Sequence, residues 1–251
     1  MAVDSLINEY KAKGMSERDI IQLLDISQND LGKFRRFAQR RIFKEPLAYI
    51  KGNMDFFGRT FKVDRRVYVP NPETEMMVRA FIEETSTGST ILEVGTGCGC
   101  IAITLAKEAS YSKIYASDLD PNALWVAKEN AETHNVRIGF FESNYIDDLK
   151  ICSPDCIISD MPYGNERYIL PSIDVCEFQH MPSLACFHPL GLLESYRELI
   201  DSIQRKGWKT KLFFETGRVE KDEVQKIIPP GKKWDYFILD KDYSMVVLVF
   251  D

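Results

Sequence analysis

Residues 90–100 read Thr-Ile-Leu-Glu-Val-Gly-Thr-Gly-Cys-Gly-Cys, an apolar run that ends in glycines at alternate positions. The apolar run predicts a short buried strand over residues 90–94, and the pattern that follows predicts a helix over residues 100–107. Glycines between a strand and a helix let the backbone turn sharply and approach a ligand closely, where the helix directs its N-terminus. This stretch therefore predicts the first strand–turn–helix unit of a ligand-binding α/β sheet.

Strands and helices alternate on the C-terminal side of this unit. Strands are predicted over residues 113–117, 137–141, 156–159, 211–214, 234–239 and 244–250, and helices over residues 121–135 and 190–205. Strands joined by helical crossovers form a mostly parallel sheet with helices on both faces. The last two strands are close enough in sequence to pair antiparallel. We therefore predict a Rossmann-like α/β domain over residues 72–251, mostly parallel with an antiparallel last strand.

The first 71 residues follow other patterns. Residues 1–52 predict a small N-terminal helical cap, in which Ser16 and Ser27 each begin a Ser-x-x-acid capping pattern before an apolar-periodic run. Residues 53–71 place apolar residues around two turn signals, which predicts a β-hairpin linker between the cap and the sheet domain.

Composition excludes several classes of protein. The chain has 251 residues, of which 45% are apolar and 28% charged, a balance that favours a globular protein over a disordered one. Its net charge of −6 argues against a nucleic-acid partner. The longest apolar runs are far shorter than the roughly 20 residues of a membrane-spanning helix. No secretory signal is visible at the N-terminus, so we expect a cytoplasmic protein without a membrane partner.

The cysteines and histidines give no metal-binding pattern. The six cysteines contain no Cys-x-x-Cys pair, and the three histidines complete no zinc spacing, so buried free thiols and no metal are expected. One basic cluster is interpreted as a solvated helix face or as a docking surface for an acidic partner. Its members are Lys33, Arg35, Arg36, Arg40, Arg41 and Lys44.

An acidic residue ends the second strand of the predicted sheet domain. Asp118 follows the glycine turn by about 20 residues, where a carboxylate accepts hydrogen bonds from ribose hydroxyls. Its alternative role is to cap the helix that starts near Pro121. Cys100 stands where a dinucleotide fingerprint has its last glycine, and no Lys-Ser or Lys-Thr follows, which excludes a P-loop. A nucleoside without a pyrophosphate clamp is indicated, and S-adenosylmethionine (SAM) fits it better than NAD.

The strand over residues 156–159 ends in Asp160, Met161, Pro162 and Tyr163. The Asp160 carboxylate and the Met161 carbonyl can each accept one N–H of an NH₂ group, and both bonds draw the nitrogen lone pair out of conjugation toward a methyl donor. Tyr163 can hold the plane of that group by stacking. The alternative interpretation is an ordinary turn after a strand.

In this order the motifs resemble the release-factor glutamine methyltransferases, and the match runs over most of the chain. Further matching stretches are residues 45–50 with Gly52, residues 56–58, residues 72–75, and residues 215–217. The resemblance implies a SAM-dependent N-methyltransferase that acts on a glutamine amide of a protein. It implies cofactor contacts from Glu93, Gly95, Thr96, Gly97, Gly99, Asp118, Leu119, Asn144, Tyr145 and Asp160, and catalysis by Asp160, Met161, Pro162 and Tyr163.

The chain departs from the family pattern at the acceptor motif. Asp160 and Met161 replace the first two residues of the family's Asn-Pro-Pro-Tyr, Asn71 replaces an arginine, and the helical cap is shorter. A carboxylate at position 160 favours a cationic acceptor such as a guanidino or amino group. Adenine N6 is a weaker alternative, because the acidic balance argues against nucleic acid. A hypothesis from another class is a SAM-binding interaction module without catalysis.

Overall fold

Four helices form the N-terminal cap of the structure, a computed structural model that describes residues 3–162 and 174–251. They are α1 (Val3–Ala12), α2 (Glu17–Ile26), α3 (Leu31–Ile42) and α4 (Leu47–Lys51). Their apolar faces enclose a small core of their own around Ile20, Leu23 and Phe34, each 0% exposed. The predicted helical cap therefore has a core large enough to order its helices against one another.

One of the two predicted capping patterns is wrong. Ser16 caps α2 as expected, because its hydroxyl accepts a hydrogen bond from the Asp19 N–H at 3.0 Å. Helix α3 is capped by Asp30 instead of Ser27, and the Asp30 carboxylate accepts two backbone N–H groups of the first turn. The physical reason is the left-handed backbone of residues 28 and 29, which ends α2 and separates Ser27 from the start of α3.

A β-hairpin connects the cap to the rest of the chain. Strands β1 (Asn53–Phe56) and β2 (Arg59–Lys62) pair antiparallel. Phe56 and Phe61 are fully buried and belong to the same hydrophobic core as residues of the large sheet. The hairpin is thus packed onto the sheet as well as linking it to the cap, and the division of the chain into three domains stays a prediction.

The central sheet has seven strands. In chain order they are β3 (Thr90–Val94), β4 (Lys113–Asp118), β5 (Gly139–Glu142), β6 (Cys156–Ser159), β7 (Thr210–Glu215), β8 (Lys233–Asp240) and β9 (Tyr243–Phe250). The spatial order is β5-β4-β3-β6-β7-β9-β8, and β9 runs antiparallel to both of its neighbours while the other pairings are parallel. This confirms the predicted α/β fold with its antiparallel last strand.

Helices cover both faces of this sheet. They are α5 (Thr74–Glu84), α6 (Cys100–Glu108), α7 (Pro121–Thr133), α8 (Ser183–Cys186), α9 (Leu192–Lys206) and α10 (Lys221–Val224), with 3₁₀ turns at Val175–His180 and Gln225–Ile227. The sequence pattern did not predict α5, since no side chain caps its first turn and it lacks a start signal. In the described ranges no helix is long and apolar enough to cross a membrane.

Adjacent residues of β7 show how the two faces are filled. Phe213 packs against Phe81 of α5, with ring centroids 4.7 Å apart, and Phe214 packs against Tyr196 of α9 at 4.4 Å. Successive side chains of a strand point to opposite faces, so the two phenylalanines anchor the two helical layers. The sheet lies between the two layers, and its carboxyl edge carries the predicted site.

The thiols are not all buried. Cys98, Cys100, Cys156 and Cys186 are buried free cysteines, whereas Cys152 and Cys176 are exposed. The prediction of buried thiols is therefore wrong for two positions, both of which lie in segments outside the helices and strands of the sheet core. Across residues 3–162 and 174–251, no cluster of side chains is suited to hold a metal ion.

Candidate functional site

The glycine turn joins β3 to α6 in a left-handed backbone conformation. Gly95, Gly97 and Gly99 have φ of 80°, 53° and 83°, values that residues with a Cβ seldom adopt. Gly99 also packs closely, since a Cβ built on it would lie 3.1 Å from the Ala127 side chain in α7. Around Gly97, by contrast, a Cβ would meet nothing within 4 Å. The turn is therefore anchored at its helical end and open at its centre, as a binding loop requires.

Glu93 holds this turn from inside the sheet. Its carboxyl accepts hydrogen bonds from the Thr96 hydroxyl at 2.6 Å and from the Ala102 N–H in α6 at 3.0 Å. Burial raises the pKa of Glu93 to about 8, because the charged form is removed from water. The side chain thus joins the strand, the turn and the first turn of the helix.

Asp118, at the end of β4, faces the same turn. Its two oxygens accept the N–H groups of Gly97 at 2.8 Å and Asp120 at 2.9 Å. The alternative role as a helix cap is wrong, because Asp120 caps α7. Desolvation raises the pKa of Asp118 above its usual range. Each carboxylate oxygen has a second lone pair, so Asp118 can accept further hydrogen bonds from a ligand beside Gly97.

Residues next to Asp118 and at the end of β5 border the same edge. Leu119, the residue after Asp118, is an apolar side chain that is 55% exposed. Tyr145 has a left-handed backbone, with φ of 51°, and its hydroxyl donates to Glu198 of α9 at 2.7 Å. The hydroxyl also lies 3.2 Å from His188 Nε2. The structure therefore fixes the Tyr145 ring through α9, while its contact with a nucleoside, like that of exposed Asn144, stays a prediction.

The motif after β6 begins beside the glycine turn. A Cβ built on Gly95 would lie 3.9 Å from the backbone oxygen of Asp160 and 3.9 Å from the Met161 sulfur. The Asp160 carboxylate accepts a hydrogen bond from the Thr74 hydroxyl of α5 at 2.9 Å. Burial raises the pKa of Asp160. The two predicted motifs, one for the cofactor and one for the acceptor, therefore lie side by side.

A tyrosine from α9 fixes the backbone of this motif. Tyr196 is fully buried, and its hydroxyl accepts the Met161 N–H at 3.0 Å. The Met161 N–H is therefore occupied by α9, while the role of the Met161 carbonyl as an acceptor stays a prediction. Pro162 is the last described residue of the segment, and Tyr163 lies outside the described residues.

A second buried carboxyl stands next to Asp160. Glu215, at the end of β7, is 2% exposed and forms a side-chain hydrogen bond with Asp160. Burial and the neighbouring Asp160 raise the pKa of Glu215 well above its usual range. No Lys, Arg or His side chain among the residues the structure describes forms an ion pair with either carboxyl. Within the described part of the chain, the edge of the sheet therefore carries an acidic pair that forms no ion pair with a basic side chain.

Three residues of this arrangement were absent from the predicted site. Thr74 and Glu215 lie in stretches that had been matched to a family without being given a role, so their motifs offered a signal. Tyr196 offered none, because it lies mid-helix and reaches Met161 only through the packing of α9 on β6 and β7. Contacts of this kind depend on the tertiary fold and have no local pattern.

The basic cluster of the cap is largely occupied by ion pairs. Arg40 binds Glu45 at 2.7 Å, and Arg41 binds Asp19 at 2.8 Å and Glu177 at 2.5 Å. Lys44 binds Asp174 at 3.0 Å. Glu177 and Asp174 belong to the segment that returns to the sheet after the acceptor motif. Two of the six members, Arg41 and Lys44, therefore join the cap to this segment, which is neither of the two roles first considered.

Comparison with known proteins places the chain among methyltransferases. Residues 70–173 match the family model described as the methyltransferase small domain. The chain is 32% identical over 218 residues to a release factor glutamine methyltransferase of Staphylococcus aureus, with 84% of this chain and 78% of that protein covered. It is 33% identical over 206 residues to a release factor glutamine methyltransferase of Lactococcus lactis, covering 80% and 75%.

Solved structures agree on the fold. A ribosomal protein L11 methylase from Lactobacillus delbrueckii subsp. bulgaricus superposes with a TM-score of 0.55 at 13% identity, covering 74% of this chain and 81% of that one. At so low an identity the similarity concerns architecture alone. It supports a Rossmann-like methyltransferase fold for the sheet and its helices.

Proposed function

Because the chain belongs to the release factor glutamine methyltransferase family and is a SAM-dependent methyltransferase, we propose that it methylates the side-chain amide nitrogen of a glutamine in a protein. The acceptor is carried over from the names of the relatives. The features of this chain that support it are the hydrogen-bond acceptors at the end of β6 and their distance from the glycine turn.

The residues around the glycine turn fit SAM. The open space at Gly97 accommodates a ligand close to the backbone, and Asp118 beside it has lone pairs left for hydroxyl donors. Exposed Leu119 offers an apolar surface next to that carboxylate. We propose that SAM is held by Glu93, Gly95, Thr96, Gly97, Gly99, Asp118, Leu119, Asn144, Tyr145 and Asp160.

When bound, SAM supplies an electrophilic methyl group on a sulfonium. The task of this chain is to make an amide nitrogen nucleophilic and to aim it. Hydrogen bonds from the NH₂ group to the Asp160 carboxylate and the Met161 carbonyl localise the nitrogen lone pair and fix the plane of the amide. Pro162 stiffens the turn that presents this carbonyl, and Tyr163 is proposed to stack on the amide.

The observation that carries this proposal is the separation of 3.9 Å between the Asp160 backbone oxygen and a Cβ built on Gly95. The two residues that carry the proposed acceptors thus lie against the turn proposed for the cofactor. Methyl transfer requires the two reactants to meet within van der Waals distance and in line. An interaction module without catalysis would not need the two motifs to adjoin in this way.

A second candidate is a cationic acceptor, such as a guanidino or amino group. It is favoured by the buried carboxyls of Asp160 and Glu215, which form no ion pair with any cation in residues 3–162 or 174–251. A positively charged acceptor would neutralise this pair. The neutral amide is preferred because two relatives that cover most of the chain are named release factor glutamine methyltransferases.

To test this proposal, the purified protein is incubated with labelled SAM and a set of acceptors, and the label in each acceptor is measured. The set contains a release factor, the same release factor with its accepting glutamine changed to alanine, an arginine-rich peptide and adenine-containing DNA. We expect label in the intact release factor, at a glutamine identified by mass spectrometry, and none in the alanine control. Label in the arginine peptide with an unlabelled release factor would replace the proposal by the second candidate, and an unlabelled set would contradict both.

A further inference from the structure

Asp160 and Glu215 are brought together by the register of two parallel strands. Ser159 of β6 pairs with Phe214 of β7, so the next residue of each strand stands at the same level of the sheet edge. Side chains at matched positions of parallel strands point to the same face. The carboxyl groups therefore meet because of the backbone pairing, and no rearrangement of a loop is needed to join them.

The contacts of the pair require a proton. A hydrogen bond joins the two carboxyl groups, and a carboxylate can only accept. One of the groups must then be a carboxylic acid that donates to the other. Two negative charges this close in a buried site would also repel each other strongly.

The surroundings place that proton on Glu215. Thr74 donates its hydroxyl to Asp160, which supports a negative charge on that residue. The Glu215 carboxyl accepts a hydrogen bond from the Gly217 backbone N–H, but its Oε1 is buried without a hydrogen-bond partner and the neighbouring Asp160 opposes a charge on it. Burial raises the pKa of both groups, and the pKa of Glu215 is raised further by Asp160. Glu215 is thus the donor and Asp160 the acceptor.

The other titratable groups that face the pair are acidic or weakly acidic. They are Tyr68 before α5, Glu73 at the start of α5, Glu93 of β3, Cys100 at the start of α6, and Tyr196 of α9. No cation occurs in this described set. Within residues 3–162 and 174–251, the pair therefore has only its own proton for neutralisation.

We infer that Glu215 is a positioning residue, an inference that rests on the proposed methyl transfer. Its protonated carboxyl donates a hydrogen bond to Asp160. This bond fixes the Asp160 oxygen that faces the acceptor nitrogen. Thr74 holds Asp160 from α5, and Glu215 holds it from β7. With both donors in place, the side chain has one orientation. Loss of the shared proton would turn the Glu215 donor into a repelling charge and release Asp160.

The test compares the pH dependence of kcat/KM in the wild type, Glu215→Gln and Glu215→Ala. A glutamine keeps an N–H donor at every pH, so Glu215→Gln should stay within a few-fold of the wild type at neutral pH and lose the wild-type decline at alkaline pH. Glu215→Ala should reduce kcat by about ten- to a hundredfold, with SAM affinity unchanged. Burial also raises the pKa of Glu93 to about 8, but Glu93 is present in all three proteins, so the difference between them isolates the pair.

A second readout does not depend on the acceptor. At neutral pH, the infrared spectrum of the wild type minus that of Glu215→Gln should contain one protonated carboxyl band, because the Glu93 carboxyl absorbs in both proteins and cancels. If the band is present but the acceptor experiment labels no glutamine, the proposed acceptor is wrong and the shared proton is still supported. Absence of the band, or the same alkaline decline in wild type and Glu215→Gln, would overturn the positioning role. Full activity of a folded Glu215→Ala protein would do so as well.

Discussion

Thr74 and Asp160 are joined by a hydrogen bond of 2.9 Å, from the hydroxyl at the start of α5 to the carboxylate at the end of β6. The two residues are separated by 86 positions in the sequence. Thr74 is 2% exposed, so water does not compete for this contact. The helix that follows the hairpin thus orients the side chain on which the proposed acceptor binding depends.

Removing this hydroxyl should impair catalysis more than cofactor binding. Thr74→Val keeps the size of the side chain and leaves Asp160 with one donor fewer in a buried site, which costs about 1–3 kcal/mol. We expect kcat to fall about tenfold while the Kd for SAM, measured by calorimetry, stays the same. Thr74→Ser keeps the hydroxyl and serves as the control. Equal kcat in the valine and serine variants would show that the hydrogen bond does not orient Asp160.

The sequence predicted the fold and the order of the motifs because these depend on local patterns. The strand, glycine turn and helix of residues 90–100 combine an apolar run, glycines and helical periodicity, and each is visible without tertiary information. The sequence also placed Asp118 and Asp160 at one site, because the carboxyl ends of parallel strands share one edge of the sheet. The fold and the order of the motifs could thus be predicted because strand direction and chain order determine them.

The missing parts of the prediction depend on packing. Tyr196 reaches Met161 only because α9 lies across β6 and β7. The acidic pair depends on which strands are neighbours, and the spatial order places β7 beside β6 although 50 residues separate Ser159 from Thr210. Likewise, Arg41 finds Glu177 across 136 positions, which no helix-face pattern could indicate.

Asp118 should be essential for SAM affinity. Asp118→Ala removes the acceptor for ribose hydroxyls and also releases the Gly97 N–H that holds the turn. Hydrogen bonds to a charged group are worth about 1.5–3 kcal/mol each, so we expect SAM affinity to fall by at least tenfold. Asp120→Ala is the matched control, because it removes the cap of α7 without touching Gly97. Calorimetry that gives the same Kd for wild type and Asp118→Ala would rule out the assignment.

Glu45 should stabilise the protein in a pH-dependent way. Its side chain is 5% exposed and binds Arg40 and Arg65, which lower its pKa to about 2. A folded-state pKa below the unfolded value means that the stabilisation is present above about pH 4.5 and is lost as pH falls toward 2. Glu45→Gln should therefore lower the free energy of unfolding by about 1–3 kcal/mol at pH 7 and less at pH 3, measured by urea denaturation.

The control for Glu45 is an exposed pair of the same kind. Glu9 binds Lys13 with both side chains nearly half exposed, and Glu9→Gln should change the free energy of unfolding by less than about 1 kcal/mol at either pH. If Glu45→Gln is no more destabilising than Glu9→Gln, the ion pairs of Glu45 with Arg40 and Arg65 do not stabilise the fold.

The exchange of Asp160 for the family's asparagine separates the two candidate acceptors. In Asp160→Asn the amide NH₂ can donate to Glu215 and the amide oxygen can accept from Thr74, so both holding contacts survive without a shared proton. The negative charge then moves from position 160 to Glu215, away from the acceptor nitrogen. For a neutral glutamine amide, kcat/KM should stay within a few-fold of the wild type and the alkaline decline should disappear.

For a guanidino or amino acceptor, the same exchange removes the charge that would face the cation. KM should then rise and kcat/KM fall by about tenfold or more, at about 1.4 kcal/mol per decade. Asp160→Ala completes the series, since it abolishes the acceptor oxygen and should reduce kcat with either substrate while SAM affinity stays nearly intact. Equal activity of the wild type, Asn and Ala proteins would mean that Asp160 is only a turn residue, and that neither acceptor nitrogen is oriented by its side chain.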